Sequence, residues 1–139
     1  MSAATNKALV REIFEGVARG DTRGFVDALA DDVTMTITGD ISWSRTFRGK
    51  EEVLRDLYGL VRARLDGPNL TTAERILADD DWVVVEARGH MRTTDGIAYE
   101  NEYCLMYRLA EGRIVEMREY QDTAMVERVF GPYPAAEAS

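Results

Sequence analysis

The residues best suited to chemistry stand near the end of the chain, in the run Gly112-Arg113-Ile114-Val115-Glu116-Met117-Arg118-Glu119-Tyr120-Gln121-Asp122. An ionisable group occupies almost every other position of this strand, which follows an apolar strand and a turn, the pattern of a polar pocket wall rather than of core. Successive strand residues point to opposite faces, so Val115, Met117 and Glu119 share one face and Arg118, Tyr120 and Asp122 the other. On the strand starting at Trp82 the same parity joins Glu86, Arg88 and His90, a face too polar for core. On the strand starting at Ile97 it joins Tyr99, Asn101, Tyr103 and Tyr107. A carboxylate, an imidazole and a guanidinium facing one pocket would do acid/base work, although parity alone leaves open which of the two faces of the last strand looks inward. Tyr99, Asn101, Tyr103 and Met117 would line that pocket, and Trp43, on a loop, would close its mouth or pack on the helix that follows. The plain alternatives are a cross-strand ion pair between Arg88 and Glu119 and a solvated His90 at a strand end. Burial in an apolar pocket raises a carboxyl pKa towards neutrality, and an adjacent arginine lowers it.

Composition narrows the chemistry. The 139 residues carry 17 basic and 25 acidic side chains, a formal net charge of -8, which disfavours nucleic-acid phosphates and anionic membrane surfaces and favours a small apolar molecule or another protein. Cys104 is the single cysteine and His90 the single histidine, so neither an internal disulfide nor a common zinc site is expected, and no cofactor is implied. Cys104 itself reads as a small buried hydrophobe. No apolar run approaches the 18 or so residues of a membrane span, and the first residues lack the pattern of a signal peptide. A cytoplasmic protein is the default expectation.

The elements that must position these residues follow from periodicity. Ala8, Val10, Ile13, Phe14, Val17 and Ala18 predict an amphipathic helix over 6–19, stopped by Gly20, and Asp21 caps a shorter helix to about Ala30. Val33 to Thr38 alternates as a strand, and Val53, Leu54, Leu57, Tyr58, Val61 and Leu65 form the stripe of a third helix over 50–65. Strands over 70–78, 82–93, 97–109 and 113–121 follow in hairpin order, with a short helix over 124–130. This is an α+β chain in which a mostly antiparallel sheet curls around helices to make a cone. Residues 1–131 read as a single domain, and 132–139 as a flexible tail.

The order of these elements, with Gly20-Asp21 between the first helices, Phe47-Arg48-Gly49 before the third, and Gly112-Arg113-Ile114 leading into Arg118-Glu119-Tyr120-Gln121-Asp122, resembles the SnoaL-like branch of the NTF2-like superfamily. The resemblance spans nearly the whole chain. It implies the cone-shaped fold and a homodimer formed through the outer sheet face, where Arg118, Tyr120 and Asp122 lie. Its members include polyketide cyclases, ketosteroid isomerases, limonene epoxide hydrolases and non-enzymatic binding modules, so fold alone leaves function open. Against the epoxide hydrolases, Arg88 and Glu119 match the arginine and the last-strand acid. His90 stands in place of the second acid, and Thr34 and Thr36 in place of the water-holding tyrosine and asparagine. Against the SnoaL-like cyclases, Glu119 matches the last-strand base with His90 as the nearby imidazole. The resemblance thus selects Glu119 and implies its role as acid or base, with His90 as its proton partner and Arg88 as orienter or oxyanion stabiliser. Against the ketosteroid isomerases, the first helix offers Phe14 and no tyrosine. The expectation is a cofactor-independent cyclase or isomerase acting on an apolar cyclic or polyketide-like substrate. The alternatives are an epoxide hydrolase and a non-catalytic ligand-binding or protein-interaction module.

Overall fold

The structure, a computed structural model, describes residues 1–134. Helix α1 spans Ala3–Val17, three residues earlier than its apolar pattern suggests, because the Ser2 hydroxyl accepts the Thr5 N–H at 3.1 Å and caps it. The short α2, Arg23–Ala28, begins beside Asp21, whose carboxylate accepts the backbone N–H and the guanidinium of Arg23. Chain direction then changes without a loop, and β1 runs Leu29–Ile37. A short strand, β2 (Thr46–Arg48), pairs antiparallel with β1 where a loop was expected, with Phe47 buried beneath it.

The third helix is continuous but not uniform. Its opening turn α3 (Lys50–Glu52) passes into a π-helical stretch, Val53–Tyr58, before α4 (Gly59–Arg64) restores the α form. The Gly59 N–H reaches back to the Leu54 carbonyl, five residues earlier, which widens the helix by one residue. A Cβ on Gly59 would stand 2.9 Å from that carbonyl oxygen, so glycine is what permits the wide turn.

Strands β3 (Thr71–Asp79), β4 (Trp82–Gly89), β7 (Glu102–Ala110) and β8 (Arg113–Gln121) form an antiparallel meander. Between β4 and β7 the predicted long strands break at His90 and Glu100, and a separate small ribbon of β5 (Met91–Arg92) and β6 (Ala98–Tyr99) forms the tip. The turn into β8 places Glu111 and Gly112 both at positive φ, 51° and 76°, the geometry of a tight hairpin. The six-stranded sheet has the order β2-β1-β8-β7-β4-β3, and β1 lies parallel to β8. That single parallel pairing makes β8 an interior strand.

Helices pack against one face of this curved sheet, as the α+β reading expected, with α1 against β3 and β4. One buried cluster runs from Val10 through Val33, Val85 and Met117 to Phe130. The last helix, α5 (Thr123–Phe130), is capped by the Asp122 carboxylate, which accepts the Met125 N–H at 3.2 Å. The stretch read as a tail begins with an anchor. The Tyr133 hydroxyl donates to the Asp56 carbonyl at 2.7 Å, and its ring packs edge-on against Trp43 at 4.9 Å and lies under the Arg45 guanidinium at 3.9 Å. The remainder, 135–139, lies outside the described residues.

A Gly59→Ala substitution is expected to lower stability by roughly 1–3 kcal/mol, because the added carbon must displace backbone. Chemical denaturation measures it, and an unchanged midpoint would show that the wide turn relaxes at no cost.

Candidate active site

Glu119 is held by an interior strand. Its neighbours across β8 are Ile37 on β1 and Leu105 on β7, and its carbonyl accepts both the backbone N–H and the hydroxyl of Thr38, at 3.1 and 3.0 Å. The side chain points to the concave face and stands where two cavities meet, one of about 440 Å³ and one of about 60 Å³. Tyr58, Val61, Asn69 and Tyr103 line both cavities with it. The larger has apolar walls from Phe14 and Val17 of α1, Phe25 and Val26 of α2, Leu54 and Leu105, with Arg62, Thr22 and Thr71 also on its lining. The smaller lies towards Trp43, Tyr99, Met91, Gln121 and Phe130.

Electrostatics set the character of the site. Burial pushes the Glu119 carboxyl up from 4.5 to about 7, opposed by the Gln121 side chain, whose Nε2 donates to Oε2 of Glu119 at 2.9 Å. Tyr58 and Tyr107 are raised far above their ordinary range, first by burial and then by the Glu119 charge, and Tyr103 is raised by burial with help from Tyr99 and Glu119. All three are therefore neutral phenols able to donate. The Tyr58 and Tyr107 hydroxyls have no partner among the described residues and open onto the larger cavity.

Several expectations are corrected. Arg88 and His90 do share a face with Glu86, but it is the outer face: on β4 the residues turned to the core are Val83, Val85, Ala87 and Gly89. Arg88 is ion-paired with Glu102 of β7 on that outer face, and His90 is exposed, so neither reaches Glu119. The proposed catalytic trio and the proposed Arg88–Glu119 ion pair are both absent. Thr34 and Thr36 also face outwards, Thr36 bonding the Thr46 hydroxyl at 2.9 Å, while Val33, Met35 and Ile37 turn in. Neither hydroxyl can hold a water against Glu119, so what the epoxide-hydrolase reading requires is not met. Cys104, expected to be buried, is exposed on the same outer surface.

Others take different places from those foreseen. Trp43 is 3% exposed, bonded through Nε1 to the Gly131 carbonyl at 2.8 Å, and lines the smaller cavity rather than closing the larger. Tyr99 lines the smaller cavity, and Tyr103 lines both. Asn101 is wholly buried but lines neither cavity, and Met117 is core beneath the site. A bulge opposite Arg108 and Leu109 brings Ile114, not Val115, into the core. Asp122, assigned to an interface, caps α5.

Three site residues were missed. Tyr107 shares the face of Tyr103 by parity, and Gln121 that of Glu119, so both were within reach of pattern alone. Tyr58 was assigned to the apolar stripe of its helix, where a tyrosine hydroxyl is easily overlooked. Among the described residues no three His, Cys, Asp or Glu side chains gather closely enough to hold a metal ion.

Comparison with known proteins adds a family to this geometry. The model of the SnoaL-like domain matches residues 10–117, a stretch that ends two residues before Glu119. An uncharacterized protein of Mycobacterium tuberculosis, Rv0034, is 30% identical over 120 residues, covering 86% of this chain and 91% of its own. Among solved structures, an NTF2-like protein of unknown function from Burkholderia pseudomallei superposes with a TM-score of 0.76 at 24% identity, covering 93% of this chain and 98% of its own. A structure from Jannaschia sp. CCS1 with the provisional name SnoaL-like polyketide cyclase gives a TM-score of 0.74 at 16% identity, covering 95% of each chain.

The raised carboxyl makes a pH prediction. Glu119 binds its proton more tightly in the folded protein, so its contribution favours folding below about 4.5 and is lost as pH rises through about 7. Wild type should therefore lose up to roughly 3 kcal/mol relative to Glu119→Gln across that interval. Parallel stability–pH curves from denaturant titration would exclude a buried, titrating Glu119.

Proposed function

The chain belongs to the SnoaL-like domain family, within the NTF2-like superfamily, and from that premise we propose that it is a cofactor-independent cyclase or isomerase acting on an apolar cyclic or polyketide-like carbonyl compound. The observation that carries this reading is Glu119, among the described residues the one carboxyl on the lining of a largely apolar cavity, with its pKa raised to about 7. A carboxyl poised near neutrality accepts and returns a proton within one turnover. Unpartnered Tyr58 and Tyr107 hydroxyls on the same lining supply neutral donors for an oxygen that gains charge.

In this reading Glu119 removes a proton from the carbon beside a carbonyl. The C–H electron pair moves to form the enolate, whose oxygen is stabilised by a tyrosine hydroxyl. Return of the proton to a different carbon is an isomerisation. Attack of the enolate carbon on a second carbonyl of the same molecule, with that oxygen taking the proton, is an aldol ring closure. Neither outcome consumes a further reagent. His90 and Arg88 have no part in it, since both lie on the opposite face of the sheet.

The test is proton exchange. A panel of enolisable cyclic ketones and aromatic polyketide fragments, incubated with the protein in D2O, should show deuterium beside the carbonyl by NMR for at least one member. Glu119→Gln should reduce that rate by about 100-fold or more while saturation-transfer NMR still detects binding. Binding without exchange in wild type would make the chain a non-catalytic ligand-binding module.

We also read the helix-free outer face of the sheet as the homodimer contact, with support from Leu77 and Tyr120, which are 57% and 40% exposed there. Sedimentation should give a dimer for wild type and a monomer for the Leu77→Glu/Tyr120→Glu double variant. A monomeric wild type would retire this reading.

A further inference from the structure

Asn101 is 0% exposed, and both ends of its amide are committed. Its Oδ1 accepts the backbone N–H groups of Glu102 and Asp122, at 2.8 and 3.2 Å. Its Nδ2 donates to the Asp122 carbonyl at 3.1 Å, to the Tyr99 hydroxyl at 3.2 Å and to Oε1 of Gln121 at 3.3 Å. Two backbone donors on one side and a backbone acceptor on the other allow this amide a single orientation. The Tyr99 hydroxyl donates to the same Gln121 Oε1 at 3.3 Å. Gln121 is therefore oriented in turn. A flipped amide would set its NH2 against the NH2 of Asn101, a repulsive contact whatever the charge of Glu119, and its carbonyl against the Glu119 oxygens, a second one while that group is a carboxylate.

We infer that Gln121 is a positioning residue for Glu119, keyed by Asn101 and Tyr99: its Nε2 donates permanently to Oε2 of Glu119, so that the exchangeable proton is carried on Oε1. The carbonyl-type oxygen of a carboxylic acid is the better acceptor, and an amide donor on Oε2 disfavours an O–H there. The keying begins in backbone, since Asn101 is bonded to the chain where β8 passes into α5. The orientation thus holds whether Glu119 is charged or neutral.

The other groups on the walls around the carboxyl are these: Tyr58 of the π-helical stretch and Tyr103 of β7 line both cavities, Tyr99 of β6 the smaller, and Tyr107 of β7 and Arg62 of α4 the larger. Helices α1 and α2 present Phe14, Phe25 and Val26. Gln121 is the only donor bonded to the Glu119 carboxyl among the described residues.

The catalytic meaning of this arrangement rests on Glu119 being the acid/base, but its test uses ligand-free protein and stands apart from any turnover assay. With glutamate labelled by 13C at the side-chain carboxyl, Glu119 in wild type should titrate near 7. Gln121→Leu should raise that midpoint by about one unit or more, a tenfold tighter proton, because a hydrogen bond that favours the carboxylate is lost. In wild type, the Gln121 Nε2 hydrogen that faces Glu119 should shift with the same midpoint, and its geminal partner much less, which packing alone would not produce. A Gln121 amide unresponsive through the Glu119 titration overturns the inference, as does a Gln121→Leu midpoint that stays or falls. If Gln121→Leu does not fold, the wild-type amide titration decides.

Discussion

A carboxyl group enclosed by aromatic and aliphatic side chains has few ways to lower its energy. It can withdraw to solvent, find a counter-ion, gain hydrogen bonds or take up a proton. Glu119 cannot withdraw, because β8 is bonded to β1 on one side and β7 on the other, with Thr38 fixing the Glu119 carbonyl. No cation is bonded to it among the described residues, and one amide donor is. Protonation near neutral pH is what remains. The parallel β1–β8 pairing, which places β8 inside the sheet rather than at its edge, is thus the constraint from which the character of the site follows.

The rest of the charge is sorted by face. Arg88–Glu102, Arg75–Glu86 and Arg108–Glu116 are ion pairs of the outer surface, half-exposed and worth little individually to stability. Their members keep one parity within a strand, Glu86 and Arg88 on β4 and Glu102 and Arg108 on β7, so the residues of opposite parity turn inward. Charge outside and apolar groups inside are one statement about register. On this account Glu119, the lone inward acid among the described residues, is the exception that register does not explain.

How much of this was legible depends on the strand. On β4, Val83, Val85 and Ala87 mark the inward face plainly, and that apolar series already placed Arg88 outside. The error was to take polarity as a sign of a pocket wall when it was a sign of solvent. On β8 no apolar series exists: Met117 is the one clear inward marker, and the bulge opposite Arg108 and Leu109 shifts parity before it. Parity left the inward face of β8 open, and Glu119 was legible only through the resemblance to the family's last-strand acid; the structure puts it two residues from Met117, after the bulge. Helices were legible from their stripes, but the π-helical stretch was not, since Val53, Leu54, Leu57 and Tyr58 satisfy an α-helical stripe equally well. The short β2 and the break at His90 depend on tertiary pairing and leave no local signal.

That wide turn bears on why the cavity survives at all. Interiors pack to high density, and a void of several hundred Å³ under a sheet forfeits contacts that repacking would recover. Here the layer above the sheet is short at this point: α2 has six residues, and the third helix is distorted where Leu54 and Tyr58 line the space. A larger side chain in place of Tyr107 or Leu105 would fill part of it, and a phenylalanine would remove a hydroxyl that has no partner. Tyr107 as a residue is only 5% exposed, but its hydroxyl opens onto the cavity and is not among the buried polar atoms left without a partner. An unfilled space is unfavourable for folding, and it lies beside the enclosed Glu119 carboxyl. Stability alone favours neither, whereas a bound molecule with an apolar body and an oxygen for the tyrosines to meet would fill the space and give the carboxyl its work.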